Sequence, residues 1–255
     1  MRERPLRRSG VAVLLLAVAL VALAQTQGVV AVKQKPPAYP GDPALESLWK
    51  QQQQGNVLLT GRIDAHGRVQ GVAVVAATQK EFEPAALHAV REWEFKPATR
   101  DGKPIEVFLN AVVRFRVPGE RRGDIPQPIL GDLAISPADA AGNATAPEGF
   151  PLRLGKDPAL RAETVLDIAP SSAPRTLAVR VEARSPSGKT YPVFQPPIFV
   201  PAHVAEFRIP VIAKIGPHWE EGVWALVFTV EGAGAGYGQF WLARDPATFR
   251  FHPQT

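Results

Sequence analysis

The chain contains no cysteine. That excludes disulfide cross-links, zinc–thiolate centres and thiol nucleophiles. It also fits an oxidising compartment, where a stray thiol is a liability. The five histidines, at 66, 88, 203, 218 and 252, show no metal-ligand spacing. There is no Gly-x-Ser-x-Gly, no His-Glu-x-x-His and no nucleophile with a base nearby, so neither an enzyme nor a cofactor is expected. A basic run with interleaved aromatics is also missing. The net charge is +5, and residues 1–8 supply three of those charges (Arg2, Arg4, Arg7 and Arg8 against Glu3). Nucleic acid is therefore not an expected partner.

What is present is a chain of 255 residues with 45% apolar residues and 26 prolines, which concentrate between and after the periodic segments. This points to strands joined by loops, with few long helices. Residues 1–24 combine a basic start with an apolar run over residues 11–24 that ends in Ala22-Leu23-Ala24. This is the layout of a secretory signal peptide. A helix over 14 residues reaches only about 21 Å, short of a hydrocarbon core of roughly 30 Å. The alternative is an inner-membrane anchor extending to Val32. Either reading sends the bulk of the chain to the periplasm.

Residues 25–38 read as a linker, and Lys33–Pro40 is Pro-rich and basic. Asp42-Pro43 opens a helix expected to run to Gln54 and stop at Gly55, with the glutamines 51–54 as one exposed extra turn. Residues 56–63 and 68–77 alternate as two strands around an Asp64-Ala65-His66-Gly67 turn. Phe82, Ala86, Ala89, Val90 and Trp93 form the stripe of a second helix, with Glu81 and Glu83 at its positive end. After the Asp101-Gly102 turn, residues 106–117 alternate. Val107, Leu109, Ala111, Val113, Phe115 and Val117 share one face; Glu106, Phe108, Asn110, Val112, Arg114 and Arg116 share the other. The expected unit is α+β: two helices on a three-stranded antiparallel sheet.

The order Tyr39-Pro40, helix, Gly55-x-Val57, Ile63-Asp64-x-x-Gly67-x-Val69, Ala85-Ala86-Leu87-x-Ala89-Val90-Arg91-x-Trp93-x-Phe95-x-Pro97-Ala98, Asp101-Gly102-x-Pro104 and Phe115-x-Val117 resembles the C-terminal domain of TonB proteins. The unit so defined spans residues 39–117. The resemblance implies a protein that captures an extended peptide, the TonB box of an outer-membrane receptor, by strand addition in the service of transmembrane transport. It places the peptide on the last strand, at Val107, Leu109, Asn110, Val112, Arg114 and Arg116. It also implies ExbB/ExbD-type inner-membrane partners, and pairing of two copies through the last strand. Family members usually carry a full membrane helix with a Ser and a His, and a long Pro-rich spacer. Here residues 25–38 span at most about 50 Å, and 138 residues follow Val117. The alternative is a periplasmic scaffold or envelope-assembly protein that uses the fold without energy transduction.

Residues 118–151 read as a Pro/Gly-rich linker. Residues 152–255 hold spaced strands, at 176–184, 204–213, 222–231 and 238–243, with Pro/Gly turns between them. They are expected to form an all-β, immunoglobulin-like sandwich. Residues 232–238 (GAGAGYG) lack the following helix that a phosphate loop needs, and read as a hairpin loop. His218-Trp219-Glu220-Glu221 reads as a turn before a strand.

Overall fold

The computed structural model describes residues 26–39, 41–51, 53–117, 131–168, 170–231 and 233–245. The expected signal peptide or anchor, residues 1–24, lies outside the described residues, as do residues 118–130.

The first unit begins with two short strands, β1 (Thr26–Gln27) and β2 (Val30–Lys33). Asp42 Oδ1 then accepts the Ala44 N–H at 2.9 Å and starts a 3-10 turn at Pro43–Leu45, which leads into α1 (Glu46–Lys50). β3 (Gly55–Ile63) and β4 (Val69–Ala77) form a hairpin, and a 3-10 turn at Lys80–Phe82 leads into α2 (Glu83–Arg91). Three short strands, β5 (Glu94–Lys96), β6 (Ala98–Arg100) and β7 (Lys103–Ile105), precede β8 (Val107–Phe115). The main sheet is antiparallel in the order β4-β3-β8, so β8 is an outer strand. Its helix-side core joins Val57, Leu59, Ala111, Val113 and Phe115 to Phe82, Ala86, Val90 and Trp93. Phe82 stacks on Phe115 at 4.2 Å, and Tyr39 meets Trp49, Phe82 and Phe115 edge-on.

The β3–β4 turn forms as its residues demand. Asp64 Oδ1 accepts the N–H groups of His66 (2.8 Å) and Arg68 (2.9 Å). Gly67, at φ +83°, fills the left-handed position that a side chain would strain.

Two expectations fail here. The first helix ends at Lys50, and Gly55 opens β3 instead of capping a helix. A Cβ on Gly55 would lie 2.2 Å from Thr78 Oγ1 and 2.8 Å from the Phe82 ring, so the glycine is there for close packing. Gln53 and Gln54 are not part of an exposed extra turn. The Gln53 carbonyl accepts the Tyr39 hydroxyl, its side chain accepts from Gln79 at 2.8 Å, and Gln54 is buried. The segment expected as a linker is likewise partly sheet. β1 pairs with β6 (Thr26 opposite Arg100) and β2 with β5 (Val30 opposite Lys96). The Trp93 indole N–H donates to the Lys35 carbonyl at 3.1 Å and pins the chain just after β2.

The second unit has strands β9 (Asp132–Ala138), β10 (Leu152–Arg153), β11 (Ala159–Asp167), β12 (Arg175–Leu177), β13 (Val179–Arg184), β14 (Thr190–Phe194), β15 (Ile198–Val200), β16 (Glu206–Lys214), β17 (Gly222–Val230) and β18 (Ala233–Ala243). A five-stranded sheet, β10-β18-β17-β13-β14, faces a three-stranded one, β16-β11-β9. One core joins them, with Trp224, Phe228 and Phe240 against Leu133, Ile135, Leu160, Ile209 and Val211. Trp219 stacks on Trp224 at 4.3 Å, so the turn before β17 is part of the core. The outer strands β14 and β16 carry Pro192 and Pro210, which remove ladder donors and blunt those edges.

Here too the expected boundaries shift. β9 lies inside the stretch read as a linker and is a full member of the smaller sheet, pairing with β11 from Asp132 to Ala138. From Ala233 on, the glycine-rich run is strand, not loop. Gly238 faces Leu133 and Ile135, whose methyl carbons lie 2.8 and 3.0 Å from where a Cβ would sit.

Candidate functional site

The last strand of the first sheet is the candidate site, and its two sides have different surroundings. β3 occupies one edge of β8 along its whole length, from Ile63 opposite Val107 to Gly55 opposite Phe115. Among the described residues no strand pairs with the other edge. The Phe108 N–H points to that outer edge and donates to the Gly149 carbonyl at 2.9 Å. Alternation along an antiparallel strand sends the backbone groups of Asn110, Val112 and Arg114 the same way. Gly149 in turn donates its N–H to the Ile135 carbonyl of β9 at 2.9 Å. One residue thus stitches β8 to the second unit. Its φ is +77°, and a Cβ there would lie 2.3 Å from the Phe108 oxygen. The next residue, Phe150, is buried with Ile63, Ala98 and Val107 in the first unit, and the Arg100 guanidinium lies over its ring at 5.5 Å.

The face of the sheet away from the helices is covered by β18. Asn110 Nδ2 donates to the Gln239 carbonyl at 3.1 Å, and the Gln239 N–H donates to Asn110 Oδ1 at 2.9 Å. The carboxamide therefore stands in for a neighbouring peptide group on the edge of β18. The Thr60 hydroxyl donates to Asn110 Oδ1 at 3.3 Å. Phe108 meets Trp241 edge-on at 4.9 Å, and Tyr237 packs on Leu58 and Val112. Arg62 pairs with Glu106 at 3.0 Å on the same face.

The six expected peptide-binding residues are thus on one strand but not in one environment. Val107 is buried in the cluster around Phe150, and Leu109 is half-buried. Asn110 and Val112 face the second unit. Arg114 is half-buried. Arg116 Nη1 donates to the carbonyls of Gly55 (3.1 Å) and Phe115 (3.2 Å). What the strand turns to its outer side past Phe108 is backbone, first at Asn110 and Val112. The residues not foreseen are Gly149, Tyr237, Gln239 and Trp241. A signal for three of them was present: Tyr237, Gln239 and Trp241 alternate with the inward Phe240 and Leu242, and large aromatics on a sheet's outer face call for a covering surface. Among the described residues no three His, Asp or Glu side chains are grouped to hold a metal ion.

Helices on one face of a small antiparallel sheet, with the last strand on the outside, define a class of two-layer α+β domain. Within that class, the family model for the Gram-negative bacterial TonB protein C-terminal matches residues 36–117, and this segment is a TonB C-terminal domain. The solution structure of the Pseudomonas aeruginosa TonB C-terminal domain is similar at 20% identity with a TM-score of 0.31, over 36% of this chain and 90% of that chain. A Pseudomonas fluorescens alkylpurine DNA glycosylase bound to abasic-site DNA is similar at 18% identity with a TM-score of 0.29, over 43% of this chain and 28% of that one. No curated protein matches the chain at a significant level.

Proposed function

We propose that the chain is a TonB-like binding protein of the bacterial cell envelope that captures an extended peptide by strand addition along residues 110–114 of β8. The observation that carries this reading is the outer edge of β8, which belongs to the family-matched segment and has no strand beside it among the described residues. Unpaired N–H and C=O groups on such an edge are satisfied by an incoming strand. Its extent is set by Gly149, which already occupies the position at Phe108. The partner is the TonB box of an outer-membrane receptor or another extended segment, and periplasmic export by residues 1–24 fits that partner. The second unit supports an immunoglobulin-like sandwich: apart from the short β10, β12 and β15, its first, second and fifth strands face the third, fourth, sixth and seventh.

A second reading, envelope scaffolding without energy transduction, is favoured by one observation. Residues expected to form a spacer are paired into sheet at β1 and β2, so little free chain is left between the apolar run and the folded body.

Amide-shift titration of the isotope-labelled full chain with TonB-box peptides tests the main reading. The expected result is saturable shifts centred on Asn110, Val112 and Arg114, with Phe108 unmoved. Saturating peptide without shifts on β8 excludes strand addition there and leaves the scaffold reading.

A further inference from the structure

We propose that the outer face of the β2–β5 ribbon is a docking surface for an anionic phospholipid bilayer. This goes beyond peptide capture and uses none of the same residues. Four large hydrophobic side chains are well exposed among the described residues, and two of them, Val30 (56%) and Val32 (62%), lie two apart on β2. The other two, Phe199 and Ile212, stand on separate elements of the second unit.

The register explains the pairing of these valines with positive charge. Val30 is opposite Lys96 and Lys33 opposite Glu94, while Ala31 is opposite Phe95, which packs into the core. A bulge between Ala31 and Lys33 leaves Val32 without a cross-strand partner and adds it to the exposed face. The outer face therefore presents Val30, Val32, Lys33 and Lys96, with Glu94 neutralised by Lys33 at 3.8 Å. Beside it opens a cleft of about 610 Å³ with Val32, Trp93 and Phe95 among its apolar lining and Lys33, Arg68 and Arg91 among its basic lining. Arg91 is exposed and has no ion-pair partner among the described residues. Glu92 and Glu94 line the cleft as well, Lys33 pairs with Glu94 and Arg68 with Asp64, so the cations left to meet lipid phosphate beside the two valines are Arg91 and Lys96.

Under the anchor reading of residues 11–32, the position of the ribbon in the chain favours a lipid surface over other occupants. The apolar run ends at Ala24, and pairing with the body begins at Thr26. Two residues reach at most about 7 Å. Any lipid that receives the apolar run is therefore brought within that distance of the start of β1, on the N-terminal segment that continues into β2.

The chain has no cysteine, so a single introduced thiol is a unique label site. The test uses the full chain carrying Val32→Cys with an environment-sensitive fluorophore, mixed with phosphatidylglycerol/phosphatidylethanolamine vesicles. Lys189→Cys, at the exposed β13–β14 turn, is the control. Expected is a blue shift and quenching by lipid-borne quencher at position 32, none at position 189, and about fivefold weaker vesicle binding for each of Arg91→Gln and Lys96→Gln. Circular dichroism confirms that the variants are folded. The proposal is overturned if the label at 32 stays in water on vesicles that bind the chain, or if it enters uncharged phosphatidylcholine vesicles as fully as the anionic ones. A lipid-free shift that grows with protein concentration overturns it too, because that result assigns the face to a second copy.

Discussion

Asn110 shows how one side chain can tie two folded units together. Its carboxamide gives one hydrogen bond to, and takes one from, the backbone of Gln239, 129 residues away. Replacement by Ala leaves a donor and an acceptor of β18 without partners in a half-buried seam, at a cost of about 1–3 kcal/mol. Asn110→Asp is worse, because a carboxylate oxygen then faces the Gln239 carbonyl. Urea midpoints followed by tryptophan fluorescence check both, and an unchanged midpoint for Asp would contradict the bidentate geometry. Asp64 carries a pH effect at the same scale. Burial alone would raise its pKa, but the backbone N–H groups of Arg68 and His66, with the Gln70 amide, outweigh it and hold the carboxyl below its usual range. The folded form is thus stabilised above the unfolded pKa of about 4, and that stabilisation disappears as pH falls through the lower, folded value. In Asp64→Asn, stability measured by urea titration should fall less steeply as pH drops below about 4 than in the wild-type chain.

At the scale of elements, Gly149 is both a joint and a limit on the outer edge of β8. Its left-handed backbone and its contact with the Phe108 oxygen leave no room for a Cβ. Gly149→Val should cost about 1–3 kcal/mol in strain alone and displace the Phe108 hydrogen bond. Hydrogen exchange at the Phe108 amide should then accelerate; an amide protected as before would show that another group covers this end of β8. Elements were legible in the sequence where period and turn chemistry agreed. β3, β4 and β8 alternate cleanly, and Asp64 with Gly67 marks the β3–β4 hairpin. β1 and β2 were not legible, because strands this short, close to prolines, have too little period to see. β9 was hidden among Pro, Gly and Asp for the same reason. The run at 232–238 misled because glycine is usually read as a loop former; here its lack of a side chain admits Leu133 and Ile135 against β18. The candidate strand itself was readable, but not its surroundings, since Asn110–Gln239 and Phe108–Gly149 are long-range contacts with no local signature.

For the whole molecule these contacts place the two units in one body. Leu58, Phe108 and Val112 would form an apolar patch on the first sheet if β18 did not cover them, and Trp241, only 4% exposed, would be open on the second. Phe150 belongs to the second unit by sequence and to the first by packing. β8 held in this way has its covered face and one end fixed, so a peptide added there as proposed would meet a preorganised edge. The physical consequence is shared cooperativity. The wild-type chain should melt in a single calorimetric transition, with far-UV and tryptophan signals superimposed. Trp241→Ala removes a buried ring at the seam, costs about 3–5 kcal/mol, and should separate the melt into two transitions as each unit loses the other's support. Two independent transitions in the wild-type chain would show that the seam contributes little to the stability of either unit.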